Sequence, residues 1–237
     1  MSATPASPAS LASLAAHLPS VSRREGSVIA VLDDIRSDSF AAVHHFAHSS
    51  SRLDDSATVL LLSDGTASHF EHVAKKLGYA TRLGSRQRIL FVDAFSHMAS
   101  LGTGNPTGPF ARDPAHPLAS LLAEIKHTFA NYPGASAGTS LNLIIDDVST
   151  FLGIGIPLRD VIQFSVDCRD LVQNSRGNLI LASHSDIALP DFEYLNSYLG
   201  DMASAIVKVK GLDSGYTDGA TGQVLSHIAE LGNQEET

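Results

Sequence analysis

The sequence predicts a single α/β domain with a mostly parallel central sheet and helices on both faces. From residue 27 onward, short apolar runs alternate with amphipathic segments. The run at 141–148 is apolar and stops abruptly at Asp146 and Asp147, as a buried central strand of a parallel sheet does. The chain has 237 residues, 43% of them hydrophobic and 17% charged, which is enough apolar material for one sizeable core.

The predicted elements follow one another as strand and helix along the chain. Ser68 with Glu71 three residues later predicts a helical capping box, and Gly78 predicts the end of that helix. Pro157 suits the first turn of another helix. A Gly/Pro/Thr-rich loop is predicted at 97–117. Strands are predicted at 27–32, 57–63, 88–93, 141–146, 178–183 and 203–209, helices at 39–48, 68–77, 118–131, 157–172 and 192–202, and a hairpin-like end at 211–228.

The two ends of the chain differ in composition from the predicted domain. The sequence divides into a leader at 1–26, a domain at 27–229 and a tail at 230–237, and the leader and tail are predicted to be flexible. The leader is rich in Ala, Ser and Pro. It matches a transit peptide only in part, because its basic residues, Arg23 and Arg24, come late. Leu11, Leu14 and Leu18 can share one face of a short helix at the domain edge, although a mobile leader is the simpler interpretation.

The charge balance bears on the partners that the chain can bind. A net charge of −9 disfavours a nucleic-acid binder acting alone. One acid-free stretch is basic, and we interpret it either as an RNA-phosphate contact or as a solvated face near a helix end. Its five cations are Lys75, Lys76, Arg82, Arg86 and Arg88. No apolar run approaches about 18 residues, so no membrane span is expected.

The segment after the first predicted strand stands where a nucleotide-binding protein has its phosphate loop. Such a loop needs glycines, whose backbone N–H groups approach the phosphates, and a lysine that neutralises them. This segment contains neither, and its three aspartates would repel a triphosphate. We therefore predict no nucleotide binding at its polar residues, which are Asp33, Asp34, Arg36, Ser37, Asp38 and Ser39.

The carboxylates Asp146 and Asp147 have two interpretations. In P-loop NTPases an aspartate at this place organises Mg²⁺. In the other interpretation Asp147 caps the next helix and Asp146 accepts hydrogen bonds from neighbouring strand ends. Without a phosphate loop there is no triphosphate for a metal to bridge, so the second interpretation is favoured and the pair is regarded as vestigial.

Two other patterns contain residue types that are typical of enzyme active sites. His44 and His48 have the i, i+4 spacing of a zinc-binding helix, but His45 occupies the place of the required glutamate. We interpret these histidines as lying on the outer side of an amphipathic helix. The run 183–186 reads Ser-His-Ser-Asp, yet consecutive residues cannot face one another as a triad does. Cys168 is predicted to be a buried small hydrophobe, and a single cysteine fits a reducing compartment. No catalytic residue, metal or cofactor is predicted.

A series of landmarks runs in order along the chain. It comprises Ser39-Phe40-Ala41-Ala42-Val43-His44-His45-Phe46, Ser68-His69-Phe70 with Lys76-Leu77-Gly78, Asp146-Asp147 with Ser149 and Leu152, and Gly211-Leu212 with Gly215, Asp218, Gly222 and Gln223. Together these residues resemble the family of Elongator complex protein six. The resemblance covers about residues 27–228 and rests on the series rather than on one motif.

The resemblance implies a RecA-like fold without working Walker motifs, which is a degenerate P-loop NTPase fold. It implies a hetero-hexameric ring with the fourth and fifth Elongator subunits. That ring would bind tRNA and serve a catalytic subcomplex that modifies the wobble uridine, in the cytoplasm and also in the nucleus. No catalytic residue is carried over. Two alternatives stay open: an active NTPase with an unorthodox phosphate site that depends on Asp146, and a zinc hydrolase that uses His44 and His48.

Overall fold

The computed structural model describes residues 26–34, 37, 39–53, 56–83, 86–87, 89–132, 138–211 and 222–228. The predicted leader, apart from Gly26, and the predicted tail lie outside these ranges. So do Arg36, Asp38 and Arg88, as well as the turn of the predicted terminal hairpin. In the described part of the chain, no helix combines the length and apolar character needed to cross a membrane.

The strands and helices alternate as the sequence predicts. The strands are β1 (Val28–Asp33), β2 (Ser56–Leu62), β3 (Arg82–Leu83), β4 (Arg86–Gln87), β5 (Ile89–Asp93), β6 (Ser140–Ile145), β7 (Leu179–His184), β8 (Ala205–Gly211) and β9 (Gly222–Ile228). The helices are α1 (Phe40–Ser51), α2 (Ala67–Lys76), α3 (Ala94–Leu101), α4 (Pro109–Arg112), α5 (Pro117–Ala130), α6 (Thr150–Gly153), α7 (Leu158–Asn174) and α8 (Pro190–Met202).

Seven of these strands form one sheet in the order β5-β2-β6-β7-β1-β8-β9. The neighbours from β5 to β8 are parallel, and only β9 runs antiparallel to its neighbour β8. The predicted mostly parallel α/β sheet is therefore confirmed, and its order is consistent with a RecA-like fold. Because β1 connects across β6 and β7 to β2, while β7 connects across β1 to β8, the chain changes direction between β1 and β7. Ligand sites of open α/β sheets lie at such a point.

The central strands are apolar on both faces because helices cover both faces. Strand β2 is buried at every position. On one face it packs through Leu60 and Leu62 with Phe46 of α1 and Phe70 of α2. On the other face the core includes Leu61, together with α3, α5, α7 and α8. Cys168 of α7 is fully buried in this second layer, as predicted.

The start of α2 differs from the prediction. The helix begins at residue 67, and its N-cap is Thr66, whose Oγ1 accepts a hydrogen bond from His69 N–H at 3.3 Å. The predicted capping box at Ser68 is wrong. Glu71 instead accepts a hydrogen bond from the Thr81 hydroxyl at 3.2 Å, which ties the helix to the segment that follows it. Gly78 adopts a positive φ of 83° just after the helix, as the sequence indicated.

Short elements also occur where none was predicted. The antiparallel pair β3–β4 precedes the third long strand, and α4 lies inside the predicted loop 97–117. The interpretation of the α1 histidines is wrong as well: His44 and His45 are buried, at 0% and 5% exposure. More of the surface of helix α1 is buried than in an amphipathic surface helix. Its polar residues therefore do not identify a solvent-exposed face.

Candidate functional site: a polar cluster at the carboxyl ends of the strands

Four neighbouring strands bring polar residues together at one edge of the sheet. Asp33 ends β1, Ser63 follows β2, Asp146 follows β6 and His184 ends β7. These strands are adjacent and parallel, so their carboxyl ends meet at the point where the connections change direction. A cleft of about 110 Å³ lies between these strand ends and the first turns of α1 and α2.

The centre of the cluster is a pair formed by Asp33 and His184. The Asp33 side chain is 1% exposed, and its Oδ1 lies 2.6 Å from His184 Nδ1. The hydrogen bond with Asp33 raises the pKa of His184 to about 9, against the opposing effect of burial. Asp147 contributes to the rise, because its Oδ2 lies 3.6 Å from His184 Nε2. His184 is therefore an imidazolium at neutral pH.

The second oxygen of Asp33 lies at the start of α1. Its Oδ2 accepts a hydrogen bond from Ser39 N–H at 2.7 Å, and Ser39 is the N-cap residue of α1. A helix N-terminus attracts anions, and in phosphate loops the anion is the nucleotide phosphate. Here the anion is a carboxylate of the chain itself. It is held there by its ion pair with the partly exposed His184.

Asp146 joins the ends of β2 and β6. Its Oδ1 lies 2.6 Å from both the N–H and the hydroxyl of Ser63, and its Oδ2 accepts a hydrogen bond from Asp64 N–H at 3.3 Å. Burial raises the pKa of Asp146 to about 7 although these hydrogen bonds act in the opposite direction, and the charge of Asp147 adds to the rise. The prediction that Asp146 binds a neighbouring strand end is confirmed.

Asp147 organises the turn into α6. Its Oδ1 accepts hydrogen bonds from Ser149 N–H at 2.8 Å and from the Ser149 hydroxyl at 2.5 Å, and its Oδ2 accepts one from the Thr150 hydroxyl. The Ser149 hydroxyl in turn accepts a hydrogen bond from the backbone N–H of His184 at 3.2 Å. The N-cap residue of α6 is Ser149, so the prediction that Asp147 itself caps the next helix is wrong. Asp147 instead binds that N-cap residue, and its network extends to β7.

The consecutive residues Ser183, His184 and Ser185 form no nucleophilic triad. The Ser183 hydroxyl donates to Asn196 Oδ1 at 2.7 Å, and the Ser185 hydroxyl donates to the Asp33 backbone carbonyl at 2.6 Å. Both hydroxyl protons therefore point away from His184. The run has the role of a polar strand end, which is the interpretation that the sequence favoured.

The histidines of α1 form an aromatic cluster with α2 and the segment after it. His44 stacks on Phe70 with ring centroids 4.0 Å apart, and its Nδ1 forms a hydrogen bond with the Tyr79 hydroxyl. Burial, together with a smaller effect of the neighbouring His69, lowers the pKa of His44 to about 4. His48 stacks on Tyr79 at 4.9 Å. No group of three metal-binding side chains that could hold an ion occurs in the described part of the chain.

The basic stretch is described only in part. Lys75 and Lys76 are exposed in the last turn of α2. Arg82 and Arg86 belong to β3 and β4, but their side chains lie outside the described structure, as does Arg88. The RNA-contact interpretation of these residues therefore stays a prediction.

In the segment after β1, Ser37 donates a hydrogen bond to Asp34 Oδ1 at 3.1 Å.

Comparison with known proteins agrees with the landmarks of the sequence. The sequence model of the family described as elongation complex protein 6 matches residues 10–236. The chain belongs to this family. It is similar to Elongator complex protein 6 of Xenopus tropicalis, with 28% identity over 207 residues, which covers 82% of this chain and 76% of that protein. The resemblance to this family that the sequence showed is thus confirmed.

In this member of the elongation complex protein 6 family, sequence reasoning identified the strand-end residues one at a time but missed the pair formed by Asp33 and His184. These two residues are separated by 151 positions. Each residue directly follows a predicted strand, which is a usable signal. What was lacking is the knowledge that β1 and β7 are neighbours.

Proposed function

We propose that this chain is a non-catalytic, RecA-like subunit of the Elongator complex. Family membership supports the complex, since the relative from Xenopus tropicalis is named an Elongator complex protein. The seven-stranded sheet supports the fold, because its order is consistent with a RecA-like domain. The subunit acts in the cytoplasm and also in the nucleus.

The observation that carries the non-catalytic part is the position of the Asp33 carboxylate. It receives the Ser39 N–H at the start of α1 and pairs with His184. A triphosphate placed there would meet a buried negative charge 2.7 Å from the same N–H group. To bind the N–H group, the triphosphate would have to displace a carboxylate that His184 and Ser39 already hold. Asp146 and Asp147 are likewise engaged by protein groups, which supports a structural role for them.

In this proposal the chain joins the fourth and fifth Elongator subunits in a hetero-hexameric ring. The ring binds tRNA and supports modification of the wobble uridine by the catalytic subcomplex. The net charge of −9 fits a subunit whose contribution to RNA affinity depends on its neighbours. The exposed Lys75 and Lys76 supply a local basic surface on this acidic chain.

The test is the mass of the particle that forms when the chain is co-expressed with the fourth and fifth subunits. Light scattering is expected to give two copies of each protein, and omission of this chain is expected to abolish that species. A parallel titration with a fluorescent ATP analogue on the isolated chain is expected to show no saturable binding. A monomer that ignores both partners contradicts the ring, whereas saturable nucleotide binding lost in Asp146→Ala contradicts the non-catalytic role.

A further inference from the structure

A groove of about 270 Å³ lies between the amino-terminal parts of α5 and α7. Its walls come from the segment that leads into α5 and from the turn and first half of α7, on the face of the sheet opposite α1 and α2. It is lined by Pro114, Ala115, His116, Pro117, Leu118, Ala119, Gly155, Ile156, Pro157, Asp160, Gln163, Phe164 and Asp167.

The groove combines an apolar surface with negative charge. None of its lining residues is a lysine or an arginine. Asp160 pairs with the adjacent Arg159 at 3.1 Å. Asp167 is half-buried, accepts a hydrogen bond from Gln163 Nε2 at 2.9 Å, and forms no ion pair with any described side chain. Such a groove fits a segment that carries apolar side chains together with a nearby positive charge.

The described chain begins beside the far end of the same helix. Gly26 N–H donates a hydrogen bond to the Gly177 carbonyl at 2.8 Å, just beyond the end of α7. A Cβ atom added to Gly26 would lie 3.3 Å from Gln173 Cγ, in the last turn of α7. Residues 1–25 therefore enter the described fold next to α7.

The distances allow this leader to reach the groove in a matching order. Asp167 precedes Gln173 by six residues, which is about 9 Å of helix. Arg23 and Arg24 lie three and two residues before Gly26, so their extended side chains can span about that distance. The start of α7 is about 23 Å from Gln173. Leu18, eight residues before Gly26, can reach about 27 Å.

We propose that the leader docks on its own domain, with Leu11, Leu14 and Leu18 in the groove and Arg23 and Arg24 facing Asp167. The i, i+3, i+7 spacing places these leucines on one face of a helical turn. The match to the family model begins at residue 10, so it includes all three leucines. The contact lies within one chain and does not depend on assembly with other subunits.

Disulfide trapping in the full-length chain tests this docking. In one variant Leu14→Cys is combined with Ala119→Cys in the groove, and in the control it is combined with Ser68→Cys, an exposed position on α2 across the sheet. The native Cys168 is fully buried and does not compete. With oxidised glutathione, the groove pair is expected to close at least about tenfold faster than the control, because docking raises its effective concentration. The product is identified by non-reducing electrophoresis and peptide mass spectrometry.

Charge reversal tests the basic contact in the same assay. Asp167→Lys is expected to slow closure of the groove pair about fivefold, and Arg23→Glu with Arg24→Glu is expected to restore it in that background. Equal rates for the groove and control pairs overturn the proposal. So does a disulfide that forms only between two chains and disappears on dilution, because the occupant would then be a second copy. A rate that is insensitive to Asp167→Lys overturns the pairing with Arg23 and Arg24.

Discussion

Asp33 and His184 lie at the ends of two adjacent parallel strands and are joined by a contact of 2.6 Å between Oδ1 and Nδ1. The aspartate is buried and the imidazole is about one third exposed. The pair holds the Asp33 carboxylate at the start of α1, where its second oxygen binds Ser39 N–H. The chain thus neutralises this helix terminus with its own side chains.

The pair makes stability depend on pH. The folded pKa of His184 is about 9, above its usual 6.5. The folded state therefore binds an extra proton between these values. The stabilising contribution is fully present below pH 6.5 and is lost as the pH rises through 9. His184→Asn is expected to flatten this part of the pH profile and to lower the free energy of unfolding at pH 6.5 by roughly 1–3 kcal/mol, less than for a fully buried pair.

Urea denaturation at a series of pH values checks this expectation. His127→Asn is the matched control, because His127 is exposed on α5 and distant from the strand ends. If the free energy of unfolding of His184→Asn changes with pH between 6.5 and 9 as steeply as that of the wild type, His184 is not the group responsible.

Asp33→Asn is expected to keep an acceptor for Ser39 N–H while it removes the partner charge of His184. The pKa of His184 is expected to fall from about 9 toward the ordinary histidine value, because its hydrogen bond with Asp33 is the largest cause of the rise. Titration of the His184 ring followed by NMR measures the change. Asp201→Asn, at an exposed position near the end of α8, is the control and is expected to leave the titration unchanged.

Tyr79→Phe is expected to destabilise the domain by about 1–3 kcal/mol, because it leaves a ring nitrogen of buried His44 without its partner. Chemical denaturation measures the loss. Tyr194→Phe is the matched control, since Tyr194 is 60% exposed and the change is expected to be within about 0.5 kcal/mol. Equal stability of Tyr79→Phe and the wild type would show that the hydrogen bond contributes nothing.

Gly177→Ala is expected to be among the most damaging single substitutions. A Cβ atom at this position would lie 1.4 Å from the Leu141 carbonyl oxygen, so β6 and the start of β7 would have to separate. A cost of roughly 3 kcal/mol or more is expected. Gly153→Ala is the control, since no atom lies within 4 Å of its added Cβ. Thermal unfolding of both variants distinguishes the clash with the Leu141 carbonyl from a general effect of replacing glycine.

The basic stretch is expected to contribute to tRNA affinity in the assembled complex. Changing Lys75, Lys76, Arg82 and Arg86 to alanine removes up to four phosphate contacts, so the salt dependence of binding is expected to weaken along with the affinity. Filter binding at several salt concentrations measures both quantities. The control is Lys208→Ala combined with Lys210→Ala, at exposed positions on β8. It tests whether the loss of other cations weakens tRNA binding in the same way. Unchanged binding in the fourfold variant would leave the stretch as a solvated face.

Much of the fold could be predicted because local sequence specifies it. The apolar run before Asp146 identified β6, and the hydrogen bond of Asp146 to a neighbouring strand end followed from its place after that strand. The bonds of Asp147 go to Ser149 and Thr150, only two and three residues away. Contacts of this range are encoded in the local sequence.

The remaining features depend on tertiary neighbours that a local pattern does not reveal. The sequence pattern placed His44 on the surface. In the structure its hydrogen-bond partner is the Tyr79 hydroxyl, 35 positions away. Ser68 resembled a helix cap, yet the N-cap of α2 is Thr66, two residues earlier. The pair formed by Asp33 and His184 required the strand order, which the alternation of strands and helices leaves undetermined.

The same strand order has a consequence for folding. The contact between Asp33 and His184 spans 151 positions, and the one between Ser63 and Asp146 spans 83. Neither contact can form until the intervening strands have been synthesised and paired, and such distant pairings are slow to form. We therefore expect the proton bound by His184 to be taken up only late in folding. A chain arrested before β7 would lack the counter-charge for Asp33 and would leave α1 without its fixed position on the sheet.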